Sequence, residues 1–293
     1  MEKLTLIKDY KDQVELRNSF NRLATEIFGI HFEDWYQNGY WKEKYIPYSF
    51  VDNNNRVVAN VSVNLVNLII HGEEVPAVQI GTVMTHEEHR NKGLSRLLME
   101  EVLKDFSHIP FMYLFANQSV LNFYPKFGFQ PYKETLFSCN YTYWGPIFNN
   151  VRPLDGTNRE DLDVIYKLAS QRTTPSKVFS TKDTAELIMF YSMKVFPNDC
   201  YWIEEEKAVV FCQHDGSTLH IYDVISAEEV RIKNIIDSLA NEKTNKITFH
   251  FTPCNHDHSF ILEEYIDTTS LFIRTTSEYK LPKHFKHPIT SQA

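Results

Sequence analysis

A short stretch of the sequence places cations and a glycine between an apolar run and an amphipathic segment. It runs from Val83 to Ser95, with Arg90, Lys92 and Gly93 in a charged turn, and apolar residues then recur at helical spacing. This pattern predicts a strand, a loop and the first turn of a helix. The first backbone N–H groups of a helix have no internal partner and lie at the positive end of its dipole. The stretch therefore predicts an anion site, and a phosphate group is the anticipated ligand.

The residues on either side predict the elements that hold this loop. An amphipathic helix ends near Gly29, and residues 32–41 form a second helical piece that is rich in aromatic side chains. Apolar and polar residues then alternate from Val57 to Leu68, as in an antiparallel hairpin with one buried face. Val78 to Thr85 predicts the strand that leads into the loop, and Phe111 to Phe115 predicts a buried strand after the helix. The first half of the chain is thus expected to be an α/β unit.

The same order of elements begins again in the second half. Residues 144–146, Trp-Gly-Pro, interrupt regular structure, so we expect two domains, 1–146 and 147–293. The restart predicts a diverged tandem repeat. In the second half, the loop before the corresponding helix runs from Ile225 to Glu229 without glycine or a cation, and its two carboxylates would repel a pyrophosphate. Only the first half should therefore hold the phosphate ligand.

The composition is that of a globular protein with an ample core. The chain has 293 residues, of which 43% are apolar and 23% charged, and its length suggests about two domains. Polar residues interrupt every long apolar run, so we expect a cytoplasmic protein without a signal peptide or membrane span. The four cysteines have no paired short spacing, which predicts reduced thiols. The net charge of −8 argues against broad nucleic-acid binding and suits a cationic substrate, or serves solubility alone.

Two motifs in this order resemble a known family. Arg90-Asn91-Lys92-Gly93-Leu94-Ser95, followed by Asn117 and Phe123-Tyr124-Pro125-Lys126-Phe127-Gly128-Phe129, resembles the GCN5-related N-acetyltransferases (GNAT). The family's loop reads Arg/Gln-x-x-Gly-x-Gly/Ala, so Ser95 departs from it. Serine is small, however, and can donate a hydrogen bond to a phosphate. The resemblance covers residues 83–129, and the order of elements over residues 1–143 also fits.

The tandem arrangement resembles the first two domains of the enhanced-intracellular-survival type of acetyltransferase. This resemblance implies an α/β (α+β) fold of two tandem GNAT-like domains, each a mixed, mostly antiparallel sheet flanked by helices. The second domain is expected to be degenerate. That group also has a third, sterol-carrier-like domain, which we do not expect in these 293 residues.

The resemblance implies that acetyl-CoA binds as a co-substrate. The strand end would offer backbone groups to pantetheine and an oxyanion donor to the thioester, while the loop would bind the pyrophosphate. The residues assigned to the coenzyme are Val83, Met84, Thr85, Arg90, Asn91, Lys92, Gly93, Leu94, Ser95, Arg96 and Asn117. Tyr124 would be the general acid, since a phenol with a pKa near ~10 can share its proton with a thiol near ~8.5. Taken singly, Gly93 could be an ordinary helix-entry glycine and Tyr124 a core tyrosine.

The general base is less determined. His86, Glu87 and Glu88 are candidates from the residues, and the terminal carboxylate of Ala293 is a candidate because the C-terminus enters the active site in the group named above. The small, uncharged residues 290–293 could be inserted or frayed, and fraying is the usual behaviour of a chain end.

Other clusters have a structural and a functional interpretation. Phe32, Trp35, Tyr36 and Trp41 either fill the core or line the pocket of the acceptor. The spacing of His250, Cys254, His256 and His258 fits no recognised zinc pattern, so no metal is expected. The basic segment from Lys283 to His287 is expected to be a solvated face.

We therefore expect an acetyl-CoA-dependent N-acetyltransferase that moves the acetyl group to a primary amine of a small molecule by direct attack on the thioester. The alternatives are a non-catalytic, regulatory acyl-CoA-binding protein and a protein N-acetyltransferase. The sequence leaves open which amine is the acceptor, whether a longer acyl group is the donor, and the oligomeric state.

Overall fold

The computed structural model describes residues 3–145, 150–254, 259–275 and 279–293. In the first half, strands β1 to β7 are Thr5–Lys8, Tyr45–Val51, Val57–Ile70, Glu73–Thr85, Phe111–Asn117, Gln130–Tyr132 and Thr135–Asn140, and helices α1 to α3 are Val14–Phe28, Glu33–Gln37 and Leu94–Asp105. In the second half, strands β8 to β15 are Val151–Leu154, Phe179–Lys182, Cys200–Ile203, Ala208–Asp215, Thr218–Ile225, Lys246–Phe249, Ile261–Glu264 and Thr269–Thr275. Helices α4 to α6 are Arg159–Ser170, Ala185–Lys194 and Ile232–Leu239.

Local sequence explains where several helices begin and end. Helix α1 ends where Gly29 adopts a left-handed conformation with a φ of 70°, and its N–H group bonds the Thr25 carbonyl. The Asn158 side chain accepts hydrogen bonds from the N–H groups of Glu160 and Asp161 at the start of α4. Helix α6 begins at Ile232, three residues after the end of the predicted loop at Glu229. The backbone N–H of Arg231, the N-cap residue, donates to the Glu206 carboxylate.

The elements form two mixed sheets. In the first, the strand order is β1-β2-β3-β4-β5-β15-β6, with β9 also paired to β3. In the second, the order is β14-β7-β13-β12-β11-β10-β8. Each sheet has one described parallel pair, β4 with β5 and β12 with β13, among antiparallel neighbours. The predicted fold class, with mostly antiparallel sheets flanked by helices, is confirmed.

Strands cross between the two halves of the chain. β7, which precedes the predicted boundary, pairs with β13 in the second sheet, while β9 and β15 follow that boundary and pair in the first. A division at residues 146 and 147 therefore does not separate the two sheets, and this point itself lies outside the described residues. As a domain boundary it stays a prediction. A strand's partner in a distant part of the chain leaves no local mark in its sequence.

The two halves also share a hydrophobic core. One cluster of buried residues includes Phe32 and Trp35 from the first half and Ile188 and Met189 from the second. The Phe32 ring stacks on the Phe190 ring, with centroids 5.3 Å apart. Helix α3 covers the first sheet in a separate cluster. Helix α5 of the second half therefore packs directly beside the aromatic residues of the first. Among the described helices, none is both long and apolar enough to cross a bilayer.

Most of residues 285–291 are buried in the interior, whereas Gln292 is half-buried and Ala293 is exposed. Phe285, Lys286, Thr290 and Ser291 are 0% exposed, and His287 is 1% exposed. The prediction that 283–287 forms a solvated basic face is thus wrong for its last three residues. Lys286 is buried because its Nζ lies 3.0 Å from the Glu134 carboxylate, and a buried cation needs such a partner.

Candidate active site

The site begins where β4 and β5 separate. Their parallel pairing runs from Ala77 with Phe111 to Ile80 with Leu114 and then stops, although β4 continues to Thr85 and β5 to Asn117. We call the gap between these strand ends the first opening. Beyond it, the backbone amides and carbonyls of both strands are available to a ligand instead of to each other.

A β-bulge in β4 causes the separation. On the neighbouring strand, Asn60 pairs with Met84 but Ser62 pairs with Gly81, so β4 carries an extra residue there. Thr82 has a φ of 49°, a strained value for a β-branched residue. Its carbonyl accepts a hydrogen bond from Asn60 Nδ2 at 2.8 Å, and its hydroxyl bonds the Tyr45 hydroxyl at 2.7 Å. These contacts hold the strained backbone in place.

A cavity of about 740 Å³ occupies the first opening and extends beyond it. Ten of the residues singled out from the sequence line it: Phe32, Trp35, Val83, Met84, Thr85, Arg90, Ser95, Asn117, Tyr124 and Ala293. They come from six different parts of the chain. The cavity thus brings together the predicted anion loop, the predicted acid, part of the predicted acceptor pocket and the last residue of the sequence.

The loop before α3 has the geometry of an anion site. Asn91 and Gly93 have φ values of 62° and 77°, and the N-cap position of α3 is Gly93, a residue with no side chain to cap the helix. The Ser95 hydroxyl bonds the Thr85 hydroxyl at 2.7 Å, which ties the helix start to the end of β4. Arg90 Nε lies 3.4 Å from the Thr85 carbonyl. The N-terminus of α3 therefore faces the cavity at the position that the sequence predicts for a phosphate.

Other residues of the predicted coenzyme loop lie around the cavity without lining it. Leu94 is buried in the core beneath α3, and Arg96 points along the helix to Glu100 at 2.8 Å. Asn91, Lys92 and Gly93 form the turn itself and are exposed. Their contribution to an anion site would come from the backbone and from unpaired charge at the surface.

Tyr124 lies at the inner wall of the cavity. It is 5% exposed, and its ring packs against Phe123 and Phe272 with centroids 5.2 and 6.0 Å away. Burial raises the pKa of Tyr124 to about 12, so its hydroxyl carries a proton at neutral pH. The side chain can therefore donate a proton within the cavity.

The C-terminal residues are inserted and not frayed. The Ala293 N–H donates to Gln79 Oε1 at 2.5 Å, and Gln79 Nε2 donates to the Ser291 carbonyl at 2.8 Å. Ala293 lies so close to β4 that a Cβ atom on Gly81 would be 2.6 Å from its carbonyl carbon. We call residues 290–293 the tail. Gln79 holds the tail with both the oxygen and the nitrogen of its side-chain amide, and Gly81, which has no side chain, leaves space for Ala293.

This geometry agrees with comparisons to known proteins. Residues 9–132 match the family model described as an acetyltransferase (GNAT) domain. The chain carries a GNAT domain. GNAT domains bind acetyl-CoA, and their fold supports acyl transfer from it. No curated protein matches the sequence.

Solved structures extend the likeness to most of the chain. A probable N-acyltransferase from Enterococcus faecalis is 13% identical, with a TM-score of 0.63 over 93% of this chain and 72% of that one. A GCN5-related N-acetyltransferase from Kribbella flavida is 16% identical, with a TM-score of 0.58 over 94% and 71%. Eis1 from Mycobacterium abscessus is 11% identical, with a TM-score of 0.55 over 93% and 73%. At these identities the likeness concerns the fold, and it confirms the tandem GNAT-like arrangement.

The other candidate bases lie outside the cavity of the GNAT domain. His86, Glu87 and Glu88 line a separate cavity of about 400 Å³, where Arg56 Nη2 lies 2.6 Å from His86 Nε2. His86, Glu88 and His89 have ligand atoms within 4.8 Å of one another, but this guanidinium already faces the group. Of the cluster weighed as a metal site, His256 and His258 lie outside the described residues. His250 pairs with His220, with Nε2 and Nδ1 3.0 Å apart.

Two of the four aromatic residues predicted for the acceptor pocket lie elsewhere. The Tyr36 hydroxyl donates to Asp12 at 2.9 Å, and the Arg17 guanidinium lies 3.7 Å from the centre of its ring. Trp41 is 3% exposed, and its Nε1 donates to the Tyr45 carbonyl. Both belong to the packing behind the cavity, Tyr36 because it lies on a face of the short helix α2 that does not line it, and Trp41 because it follows that helix and packs in the core.

Sequence reasoning missed several residues of the site. Tyr45, Leu187, Phe190 and Tyr191 line the cavity, three of them from helix α5 of the second half. Gly81 had a recognisable signal, because a glycine inside a strand often marks a close approach of another backbone. The α5 residues had none, since apolar side chains on a buried helix are the expected pattern for any core.

Proposed function

We propose that the protein is an acetyl-CoA-dependent N-acetyltransferase that moves the acetyl group to a primary amine of a small molecule. One observation carries this proposal: a single cavity connects the N-terminus of α3, the separated strands, Tyr124 and Ala293. The acceptor and the thioester would meet inside this cavity, at the first opening.

The coenzyme would lie along the first opening. Its pyrophosphate would bind the free N–H groups at the start of α3, with Arg90 and Lys92 supplying charge. Its pantetheine would lie between the residues 83–85 and Asn117, where the separated strands leave backbone groups unpaired. An amide of β4 would then stabilise the oxyanion of the attacked carbonyl.

The reaction needs one proton acceptor and one proton donor. The amine nitrogen attacks the thioester carbon, and the C–N bond forms as the C–S bond breaks. The carboxylate of Ala293 takes one proton from the ammonium group before the attack. Tyr124 protonates the departing thiolate, and the attacking nitrogen gives its second proton to the Tyr124 oxygen, so that the tyrosine ends as a neutral phenol. Removing a thiolate from water into the cavity disfavours its charged form, so protonation by Tyr124 assists its departure. The products are the amide and free coenzyme A.

Thiol release from acetyl-CoA over a series of primary amines tests the proposal. We expect turnover with at least one amine, and Tyr124→Phe should lower kcat by about 100-fold, the lower end of the range for general acid catalysis. Coenzyme binding by calorimetry should stay unchanged in that variant. Tyr201→Phe, on β10 of the second sheet, is the matched control. Tight coenzyme binding without thiol release for any amine would instead favour a non-catalytic acyl-CoA-binding protein.

The role of Ala293 has its own test. Deleting this residue, or adding two glycines after it, moves the terminal carboxylate away from Gly81. Both changes should lower kcat and remove the acidic limb of its pH profile, because that limb reports the base. Two glycines added before Met1 serve as the control. Unchanged turnover and pH profile in the deletion variant would exclude Ala293 as the base and leave the rest of the proposal standing.

A further inference from the structure

We propose that the acceptor is an apolar monoamine, with one primary amine on an alkyl or aryl body and no second charge. This inference rests on the proposed function and names its substrate class. It comes from the half of the cavity that lies away from Arg90, on the side of helices α1, α2 and α5.

The walls of this half are mostly apolar, and the hydroxyl groups of Tyr45 and Tyr191 are among their polar atoms. These walls are formed by side chains from both halves of the chain, including Ile30, Phe32, Trp35, Leu187, Phe190 and Tyr191. The polar atoms of two wall residues already have partners. Trp35 Nε1 donates to the Glu186 carbonyl at 2.8 Å, and the Tyr45 hydroxyl bonds Thr82. Such walls complement a hydrocarbon body and offer little to a substrate with many hydroxyl groups.

Carboxylate side chains are absent from the described residues that line the cavity. The carboxylates nearest along the chain turn toward cations elsewhere. Glu33 lies 2.9 Å from Arg17, and Asp34 lies 2.5 Å from Lys194.

Glu186, on the helix that forms one wall, faces two lysines that do not line the cavity, although its Oε2 accepts no hydrogen bond. Its carboxylate oxygens lie 3.5 Å from Lys42 Nζ and 3.6 Å from Lys44 Nζ. The end of the chain at Ala293 is therefore the anion that the described lining offers to a substrate. One anion can neutralise one ammonium group, so a second ammonium in this half would be buried without a partner.

Pairs of amines that differ by a single charge test this inference. Hexylamine and 1,6-diaminohexane have the same carbon chain, and we expect kcat/KM for hexylamine to exceed that of the diamine by about 100-fold, as for a buried charge without a partner. From propylamine to hexylamine, KM should fall about fourfold for each added methylene, which follows from the free energy of burying one CH₂ group.

A charge placed in the wall should reverse the preference. Leu187→Glu puts a carboxylate in the apolar half, so turnover of hexylamine should fall and that of 1,6-diaminohexane should rise. Leu262→Glu is the matched control, because this leucine is 44% exposed on β14, in the second sheet. It should leave both rates unchanged.

Calorimetry with the two amines separates this inference from the proposed function. Hexylamine could bind the CoA-loaded protein while the diamine does not, with no thiol released from any amine. That result would support the apolar monoamine as the ligand and contradict the proposed transferase activity. If the diamine is turned over in preference to hexylamine, the activity holds and the apolar monoamine is excluded. If neither amine binds nor reacts, the inference is overturned.

Discussion

Each sheet contains a parallel strand pair that separates beside a β-bulge, and only the gap in the first sheet is open to a ligand. In the first, β4 and β5 pair over four positions and then separate beside a bulge at Thr82. In the second, β12 and β13 also pair over four positions, from Thr218 with Lys246 to Ile221 with Phe249. Here too a bulge follows, because Phe211 pairs with Asp223 but Cys212 pairs with Ile221. We call the gap beyond this pair the second opening.

The chain itself fills the second opening. The rings of Tyr222 and His250 stack there with centroids 4.5 Å apart. Thr252 bonds the backbone N–H of Lys286 at 2.8 Å and its carbonyl at 3.0 Å. The Thr290 hydroxyl donates to the buried Asp223 carboxylate. The C-terminal segment therefore crosses the second opening before it ends in the first.

The helix that follows each opening shows the same contrast. Helix α3 begins at Leu94 after the N-cap Gly93, which has no side chain to cap the helix, and its N-terminus faces the cavity. At the start of α6, Glu206 accepts from the Arg231 N–H at 2.8 Å and from Asn234 Nδ2 at 2.5 Å. In the first sheet, the opening and the N-terminus of α3 are free to bind a ligand. In the second sheet, the chain itself occupies the opening and the N-terminus of α6, so this region supports the fold.

Removing the anchor of the tail in the second opening should have the largest effect. Asp223 is 0% exposed and pairs with Arg172, whose Nη1 lies 3.0 Å from its Oδ2. Asp223→Ala leaves a buried cation without its partner, which costs about 3–5 kcal/mol in the free energy of unfolding. Thermal unfolding should shift down by roughly 10 °C, on a scale of a few degrees per kcal/mol. Below that temperature, kcat for thiol release should also fall, because the tail loses its anchor.

A matched variant separates this positioning from general damage. Asp237 is equally buried on α6 and bonds Tyr141 at 2.8 Å, away from the tail. Asp237→Ala should lower stability without lowering kcat. Thr290→Val removes only the tail's bond to Asp223 and serves if Asp223→Ala does not fold. Full activity in both Asp223→Ala and Thr290→Val would show that the second opening does not position the tail.

Filling the first opening should abolish most activity. Gly81→Ala places a Cβ atom 2.6 Å from the Ala293 carbonyl carbon, so backbone must move on one side or the other. A displacement on the scale of 1 Å costs about 100-fold in rate, and we expect that loss in kcat. In a background without Ala293, the same substitution should have little further effect. Independent, multiplying losses in the double variant would mean that Gly81 acts through something other than the tail.

The parts of the site that could be predicted are those in which the chemistry is local in sequence. Val83 to Ser95 is a contiguous strand, loop and helix start, so its residue types and spacing already contain the geometry of an anion site. Tyr124 follows from a motif only a few residues long. Element types were predicted well for the same reason, since apolar periodicity depends on near neighbours.

The rest depends on partners that lie far apart in the chain. Gln79 bonds Ser291 and Ala293, which are more than 200 residues away in the sequence, and no local sequence pattern predicts such a contact. The local sequence around Lys286 predicts a surface residue, because its partner, Glu134, lies in another part of the chain. The crossing of β7 and β15 between the sheets likewise has no signal in the local sequence. Long-range packing overrides the local preference of these segments.

Acid should destabilise the folded protein through two buried histidines, His250 and His287. Burial, with Lys286 nearby, lowers the pKa of His287 to about 3, and burial also lowers that of His250 to about 3. In the unfolded chain a histidine has a pKa of about 6.5, so below that pH the unfolded state binds protons that the folded state does not. Stability is therefore complete above about pH 6.5 and falls by about 1.4 kcal/mol per pH unit for each such group as the pH drops toward 3.

Urea unfolding at several pH values measures this slope. His287→Gln should remove the contribution of one proton to this slope. The Tyr113 hydroxyl lies 3.0 Å from His287 Nε2 and would lose that contact, but it still accepts a hydrogen bond from Gln79. His31→Gln, on an exposed side chain before α2, is the control and should leave the slope as it is. An unchanged slope in His287→Gln would show that this ring is not held neutral in the folded protein.

The substitution with the smallest expected effect tests which feature prevents coenzyme from binding at the second opening. Glu206→Ala uncaps α6 and should cost about 1 kcal/mol in the free energy of unfolding, the usual effect of losing a capping side chain. Calorimetry with coenzyme A should still give one site per chain, because Thr252, Lys286 and Thr290 continue to fill the second opening. Ser95→Ala is the counterpart on α3 and should weaken coenzyme binding several-fold, since it breaks the bond to Thr85. A second coenzyme site in Glu206→Ala would mean that the carboxylate at the helix end, and not the tail, keeps the second copy closed.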